Sequence, residues 1–146
     1  MRCALWDLYP DELQKLDLQS SIESLVNDLT SSDGVVVHFS TDGASRRLPL
    51  DIERALLRIC QEALSNIVKH ARAHEVKIAL FFDSQHARLS VEDDGQGFQP
   101  EEVSESFGLI SMQNRAKSLG GVWTIRSELG RGTDVRVSIP IPHATD

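Results

Sequence analysis

The chain lacks the features that mark membrane-spanning, secreted and nucleic-acid-binding proteins. It has no apolar run near the ~18 residues that a membrane helix requires. Its start does not resemble a signal peptide, because Met1 to Cys3 lead directly into a segment with Pro10 and several carboxylates. A net charge of −7 leaves no basic stripe, so we expect no nucleic-acid partner.

Cysteine is scarce as well. The two cysteines, Cys3 and Cys60, are far apart and form no Cys-x-x-Cys motif. Isolated thiols are typical of a reducing compartment, so we expect a cytoplasmic setting. Cys60 lies among apolar helix positions and is predicted to belong to the core.

The chain is long enough for one domain with a substantial core. Its acidic charge is concentrated at the start, where residues 1–33 contain seven carboxylates against Arg2 and Lys15. Such an excess is usually a solvated helix face and less often a docking surface for a basic partner.

Apolar periodicity predicts an alternation of helices and strands in the order α-β-α-β-β-loop-α-β-β. The predicted helices are 11–31, 50–73 and 109–119, and the predicted strands are 35–41, 76–83, 87–93, 122–128 and 133–139. The last four strands form two hairpins. This order favours an α+β fold, a two-layer α/β sandwich with helices on one face of a mixed, mostly antiparallel sheet.

The helix predicted over 50–73 carries polar side chains in an informative pattern. Glu62, Asn66 and Lys69 lie within roughly 60° of one another, just beside the apolar face. They are explained either as ordinary helix surface or as groups for a magnesium–phosphate ligand. His70 is either a boundary histidine or a ligand contact. The solvent side is predicted to carry four side chains: Arg58, Gln61, Ser65 and Arg72.

An acidic, glycine-containing loop, Asp93-Asp94-Gly95-Gln96-Gly97, leaves the strand predicted over 87–93. Its glycines permit positive φ and close backbone approach to a ligand. A buried carboxylate at this point needs a partner. The exocyclic amine of adenine would provide one, whereas guanine presents a carbonyl oxygen there and would be repelled.

Two further glycine sites follow along the chain. Gly108 precedes a helix whose first N–H groups can bind an anion. The segment Gly130-Arg131-Gly132-Thr133 is explained either as a hairpin turn or as part of a nucleotide site, where the Thr133 hydroxyl would lie beside adenine.

Together these motifs resemble the GHKL superfamily of ATP-binding domains, which includes gyrase, the heat-shock chaperone, histidine kinases and the mismatch-repair ATPase. The joint pattern is E-x-x-x-N on a helix, then D-x-G-x-G, then a glycine-containing lid and G-x-G-T. Within the group, the segments 61–71 and 108–121 resemble bacterial two-component sensor kinases, most closely the subfamily that pairs with LuxR-type response regulators.

Carried over to matching positions, the resemblance implies ATP and Mg²⁺ as cofactors. Asp93 would bind adenine, with Thr133 supporting it through water. Asn66 would ligate Mg²⁺, and Glu62 would order a metal-bound water or act as a base. The catalytic candidates are Glu62, Asn66 and Lys69.

The resemblance also implies residues for the phosphates and for the shape of the pocket. Lys69 and His70 would contact phosphates. The remaining expected ATP-binding positions are Gly95, Gly97, Gly108 and Leu109. The lid, residues 98–107, offers few apolar groups, and Ser106 replaces a usual glycine, so we expect its closure to be harder than in relatives.

The resemblance divides the chain into residues 1–10, the end of a dimerisation and phosphoacceptor region, and residues 11–146, an ATP-binding catalytic domain. None of the five histidines lies in the His-Asp/Glu setting of a dimerisation helix. The expected activity is therefore transfer of the ATP γ-phosphate to a histidine on a separate domain, then to a response regulator. We expect a monomeric domain from a homodimeric kinase, cytoplasmic even if its parent is membrane-anchored.

Two other functions remain open on the sequence alone. One is a serine kinase and binding module of the anti-sigma-factor type, which shares the fold. The other is an inactive regulatory domain that binds a nucleotide. A truncated phosphoacceptor helix before residue 11 would favour the histidine kinase over the first of these.

Overall fold

A computed structural model describes residues 18–33, 35–42, 48–68, 72–97 and 109–141. These ranges contain the predicted succession of elements. The helices are α1 (Leu18–Asp33), α2 (Leu50–Asn66) and α3 (Leu109–Ser118). The strands are β1 (Val36–Asp42), β2 (Glu75–Phe82), β3 (His86–Asp93), β4 (Val122–Glu128) and β5 (Gly132–Pro140).

The five strands form one mixed sheet with the order β1-β2-β3-β5-β4. β1 and β2 are parallel, and the other neighbouring pairs are antiparallel. The predicted hairpins, β2–β3 and β4–β5, are both present, and the mostly antiparallel sheet is confirmed. The position of β5 between β3 and β4 was not predicted.

Alternating burial along the strands explains the two-layer architecture. On β2 the side chains of Val76, Ile78, Leu80 and Phe82 are buried, and the residues between them lie on the opposite, more exposed face. The buried face meets the apolar sides of the helices, and α2 contacts α1, α3 and β3. Each fully buried side chain of this kind contributes about 1.5–3 kcal/mol to stability.

Cys60 belongs to this core, as predicted. Its side chain is buried and its thiol is free. Burial raises the pKa of the thiol to about 12. The group therefore stays protonated and acts as a small apolar side chain.

Two predictions about α2 are wrong. The α-helix ends at Asn66, and residues 67 and 68 form a π-helical turn. The Ile67 N–H contacts the carbonyls of Ala63 and Leu64. Residues 72 and 73, predicted to be helical, are not, and Arg72 has a φ of 53°.

Gln61 is the second correction, because its side chain is only 3% exposed rather than on the solvent side. α2 contacts α1, α3 and β3, and ten of its 17 residues are buried. The Gln61 side-chain oxygen accepts a hydrogen bond from Arg58 at 3.3 Å. A helical wheel marks the apolar side but cannot show how many elements cover it.

Several predicted features lie outside the described residues. They are residues 1–10, the lid 98–107 with Ser106, and the positions Lys69, His70 and Gly108. Of the helices in the described ranges, none is both long and apolar enough to cross a membrane.

Candidate functional site

Asp93 is the last residue of β3 and faces the helical layer. Burial alternates along this strand, and Asp93 takes the position of a buried side chain, at 7% exposure. Ala87, Leu89 and Val91 fill the equivalent positions before it. A carboxylate is expensive to bury, so its place at the end of an apolar row is a chemical feature of the site.

The loop that follows β3 holds this carboxylate in place. The Gly95 N–H donates a hydrogen bond to Asp93 Oδ1 at 2.7 Å, and the backbone of Thr133 forms a second one. Burial raises the pKa of the Asp93 carboxyl, and the nearby charge of Asp94 adds to the rise. The two backbone hydrogen bonds offset the shift only in part. A ligand that donates a hydrogen bond to Asp93 would relieve this remaining cost.

Thr133 lies directly opposite Asp93 in the β3–β5 ladder. Its hydroxyl lies 2.8 Å from the Ser127 hydroxyl, and either group can donate this hydrogen bond. A cavity of about 550 Å³ opens at these strand ends, and residues from both faces of the sheet line it, among them Arg126 and Asp134 as well as Asp93 and Thr133. On the helical side of the sheet, the ends of β3, β4 and β5 thus bring one carboxylate and two hydroxyls close together.

Two glycines allow the hairpin β4–β5 to pack against the loop 93–97. Gly132 has a φ of 99°, and a Cβ at this position would lie 2.0 Å from the Asp93 carbonyl oxygen. Gly97 has a φ of 67°, and its Cβ would lie 2.0 Å from the Glu128 carbonyl oxygen. No other residue fits either position.

The explanation of the segment 130–133 as a hairpin turn is confirmed, whereas its place in a nucleotide site stays a prediction. Gly130 lies in the hairpin turn, with open space around it, and its N–H donates to the Gln96 carbonyl at 2.6 Å. Gly132 makes the close approach to Asp93. The sequence identified the glycines but not this contact. The spacing of two glycines around the turn was the available sign of a close backbone approach.

Glu62 and Asn66 lie one turn apart on α2, and both side chains are half-buried. Ala63, Leu64 and Ile67, which lie between and beside them, are buried. The predicted position beside the core face is therefore correct. Asn66 is also the final residue of α2, directly before the π-helical turn, and π-turns are frequent at functional sites.

The structure thus gathers the predicted residues into two groups. Asp93, Gly95, Gly97 and Thr133 meet at the strand ends, whereas Glu62 and Asn66 lie on the helix packed over β3. Leu109 begins α3 with a side chain that is 4% exposed, so only its backbone N–H remains for a ligand. Among the described residues, no group of three or more His, Cys, Asp or Glu side chains is placed to hold a metal ion.

Asp94 is a residue that sequence reasoning did not single out. Its side chain is exposed, and its Oδ1 accepts the N–H groups of His74 at 2.8 Å and Glu75 at 3.0 Å. These hydrogen bonds, Glu75 first, lower the pKa of the Asp94 carboxyl. Two consecutive carboxylates at the end of a strand were the available signal, since only one of them can take the buried position of the alternation.

The sequence profile of the family described as histidine kinase-, DNA gyrase B- and HSP90-like ATPases matches residues 51–143. This range contains α2 except its first residue, the loop 93–97 and the hairpin β4–β5. The chain belongs to this family. The resemblance to the GHKL group of ATP-binding domains is confirmed, and ATP is the nucleotide of the family.

Named relatives of this ATPase domain are sensor kinases. The chain is 33% identical to the sensor histidine kinase LiaS of Bacillus subtilis, over 97% of this chain and 39% of LiaS. It is 37% identical to the histidine-protein kinase/phosphatase UhpB of Salmonella typhimurium, over 96% of this chain and 28% of UhpB. The chain therefore spans well under half the length of these curated relatives.

Solved structures confirm the fold. The histidine kinase domain of the blue-light activated histidine kinase from Erythrobacter litoralis EL346 matches with a TM-score of 0.63 and 20% identity. The match covers 85% of this chain and 65% of that domain. A longer chain of the same kinase matches with a TM-score of 0.65 and 21% identity, over 85% of this chain and 42% of that one. The predicted two-layer fold is confirmed.

Proposed function

We propose that this chain is the ATP-binding catalytic domain of a sensor histidine kinase, which transfers the ATP γ-phosphate to a histidine on a separate dimerisation domain. One observation carries the proposal: the buried Asp93 carboxylate, fixed by Gly95 and Thr133, retains the capacity to accept a hydrogen bond from a ligand. Similarity to sensor kinases over nearly the whole chain supports it.

Asp93 selects adenine over guanine. The exocyclic amine of adenine donates to the carboxylate and offsets part of its burial cost, whereas the guanine carbonyl oxygen at the same place repels it. The linked hydroxyls of Ser127 and Thr133 lie on the same side of the sheet as Asp93. Thr133 supports the base through water.

The phosphates bind toward the end of α2. Asn66 supplies a neutral side-chain oxygen, which suits Mg²⁺ whose other ligands are phosphate oxygens and water. Mg²⁺ bound there would neutralise phosphate charge. Lys69 and His70 contact the phosphates, and Glu62, four residues before Asn66, orders a water or accepts a proton. The domain therefore works by positioning and charge neutralisation.

The other parts of the kinase reaction come from elsewhere. Residues 1–10 are the end of a dimerisation region and residues 11–146 the catalytic domain, so that the phosphoacceptor histidine lies on a different domain. The phosphate then passes to a response regulator of the LuxR type. We place the domain in the cytoplasm, as a monomer when isolated and within a homodimer in its parent kinase.

The test is a transfer assay between two purified components. This chain alone, with labelled ATP and Mg²⁺, should bind ATP by calorimetry but should not label itself. Adding the dimerisation domain of its kinase should give acid-labile phosphohistidine on that domain. Acid-stable serine labelling of a partner would instead indicate a kinase of the anti-sigma-factor type. Binding of ATP without transfer in any combination would indicate an inactive regulatory domain.

A further inference from the structure

Asp93 and Asp94 are adjacent in sequence, but the first is buried and the second is exposed. Asp93 faces the helical layer, whereas the Asp94 side chain is exposed and binds the connection between α2 and β2. The Asp94 N–H also donates to the Glu75 carbonyl at 3.3 Å. Three hydrogen bonds therefore join this single residue to His74 and Glu75.

The connection that Asp94 holds is constrained at several points. Arg72 has a left-handed φ of 53°, a conformation that a side chain makes unfavourable and that neighbouring contacts must maintain. The His74 carbonyl accepts the Val36 N–H at 3.0 Å, which ties the same residue to the start of β1. His74 is thus held through its N–H by Asp94 and through its carbonyl by Val36.

The end of α2 is only a few residues away from this tether. Asn66 closes the helix, and Arg72 is the next residue beyond the turn that the structure describes. His74 and Glu75 return the chain from α2 to β2, so the contact with Asp94 joins the connection after α2 to the end of β3. We propose that Asp94 is a positioning residue, which sets the distance between the adenine-binding carboxylate of Asp93 and the phosphate-binding end of α2.

This inference rests on the proposed function and assigns Asp94 a specific part in it. A nucleotide spans both groups, so its affinity depends on their separation. Adenosine engages only the Asp93 end. Loss of the tether should therefore weaken binding of Mg²⁺–ATP far more than binding of adenosine, because α2 can then move relative to β3.

The chain offers a matched control in Asp83. Its Oδ1 accepts two consecutive N–H groups, from Gln85 at 2.8 Å and His86 at 2.6 Å, at the opposite end of the β2–β3 hairpin. Asp83 follows β2 and Asp94 follows β3, and each accepts two consecutive N–H groups, within a turn for Asp83 and between distant segments for Asp94. Asp83→Ala should lower the melting temperature without changing the affinity for either ligand.

The experiment compares Mg²⁺–ATP and adenosine binding by calorimetry. Asp94→Ala should weaken Mg²⁺–ATP by about 10–30-fold and adenosine by less than about threefold, within the range of measured site–site couplings. Asp94→Asn keeps the acceptor oxygen and should restore most of the ATP affinity. Asp94→Glu keeps the charge but moves the carboxylate, and should again weaken ATP selectively.

Three outcomes would overturn the inference. Equal weakening of ATP and adenosine in both Asp94→Ala and Asp94→Glu would assign Asp94 to fold stability alone. An equal loss of ATP affinity in Asp83→Ala would show that the loss of affinity is not specific to Asp94. If the unmodified protein binds no ATP, both the proposed function and the inference are wrong. If it binds ATP normally but the Asp94 variants weaken ATP and adenosine equally, only the inference is wrong.

Discussion

Asp93 and Thr133 are direct cross-strand partners on β3 and β5, although 40 positions separate them in the sequence. The Thr133 backbone forms a hydrogen bond with the Asp93 carboxyl, and the preceding Gly132 packs its backbone against the Asp93 carbonyl. Two distant motifs thereby become one wall of the site.

Replacing Asp93 with asparagine should weaken ATP and ADP binding by about 100-fold, because a charge-assisted hydrogen bond is worth about 1.5–3 kcal/mol. The unmodified protein should bind GTP no better than the variant binds ATP. Calorimetry measures both. Glu92→Gln, which removes the neighbouring charge on the exposed face of the sheet, is the control and should bind ATP normally. An unchanged ATP affinity in Asp93→Asn would remove the adenine assignment.

The stability of the nucleotide-free protein should carry a pH dependence from Asp93. Its pKa is raised by burial above the ordinary value of 3.8, so the folded state binds more protons than the unfolded state above pH 3.8. The free energy of unfolding should therefore fall as the pH rises through this window.

Comparing thermal unfolding of the unmodified protein and Asp93→Asn isolates this contribution. The melting temperature of the unmodified protein minus that of the variant should decrease as the pH rises above 3.8. Hydrogen bonds lower the pKa values of Asp83 and Asp94, chiefly from the Gln85 N–H and the Glu75 N–H respectively. The stability that these two carboxylates contribute is therefore lost only as the pH falls below 3.8. A difference that grows with pH would contradict the assignment to Asp93.

Gly132→Ala should destabilise the protein and distort the site. The new Cβ would meet the Asp93 carbonyl oxygen at 2.0 Å, and the φ of this position is 99°. We therefore expect the free energy of unfolding to fall by about 2–4 kcal/mol and ATP binding to be lost. Gly130→Ala is the matched control, because it has a φ of 84° but open space, and should cost about 1–2 kcal/mol with ATP binding retained. Denaturant unfolding and calorimetry measure both effects. Equal losses in the two variants would show that the contact with Asp93 is unimportant.

Asn66→Ala should weaken Mg²⁺-dependent ATP binding by about 10–100-fold, as is usual for removal of a group that supports a metal site. Adenosine binding should stay within about twofold, because Asn66 lies on α2 and not at the strand ends. Ser65→Ala changes the preceding half-buried residue and should leave both affinities unchanged. If Asn66→Ala affects ATP equally with and without Mg²⁺, Asn66 is not a metal ligand.

Much of the fold followed from local pattern. Alternation of apolar residues identified the strands, and helical periodicity identified α2 and placed Glu62 and Asn66 beside its buried face. The end of α2 and the burial of Gln61 were missed, because both depend on contacts from other elements. The apolar periodicity of α2 does not predict the left-handed backbone of Arg72, nor does it predict which three elements contact the helix.

The sequence by itself determined the elements, the family and the identity of the adenine-binding candidate. Side-chain periods of 2 and 3.6 are local properties, and the acidic glycine loop follows directly from the residues. Only the tertiary structure decided that β5, rather than β4, pairs with β3. Either strand of the β4–β5 hairpin presents a free edge of N–H and carbonyl groups, so local sequence cannot choose between them. That choice places Thr133 beside Asp93, and packing between elements likewise placed Asp94 against the connection that follows α2.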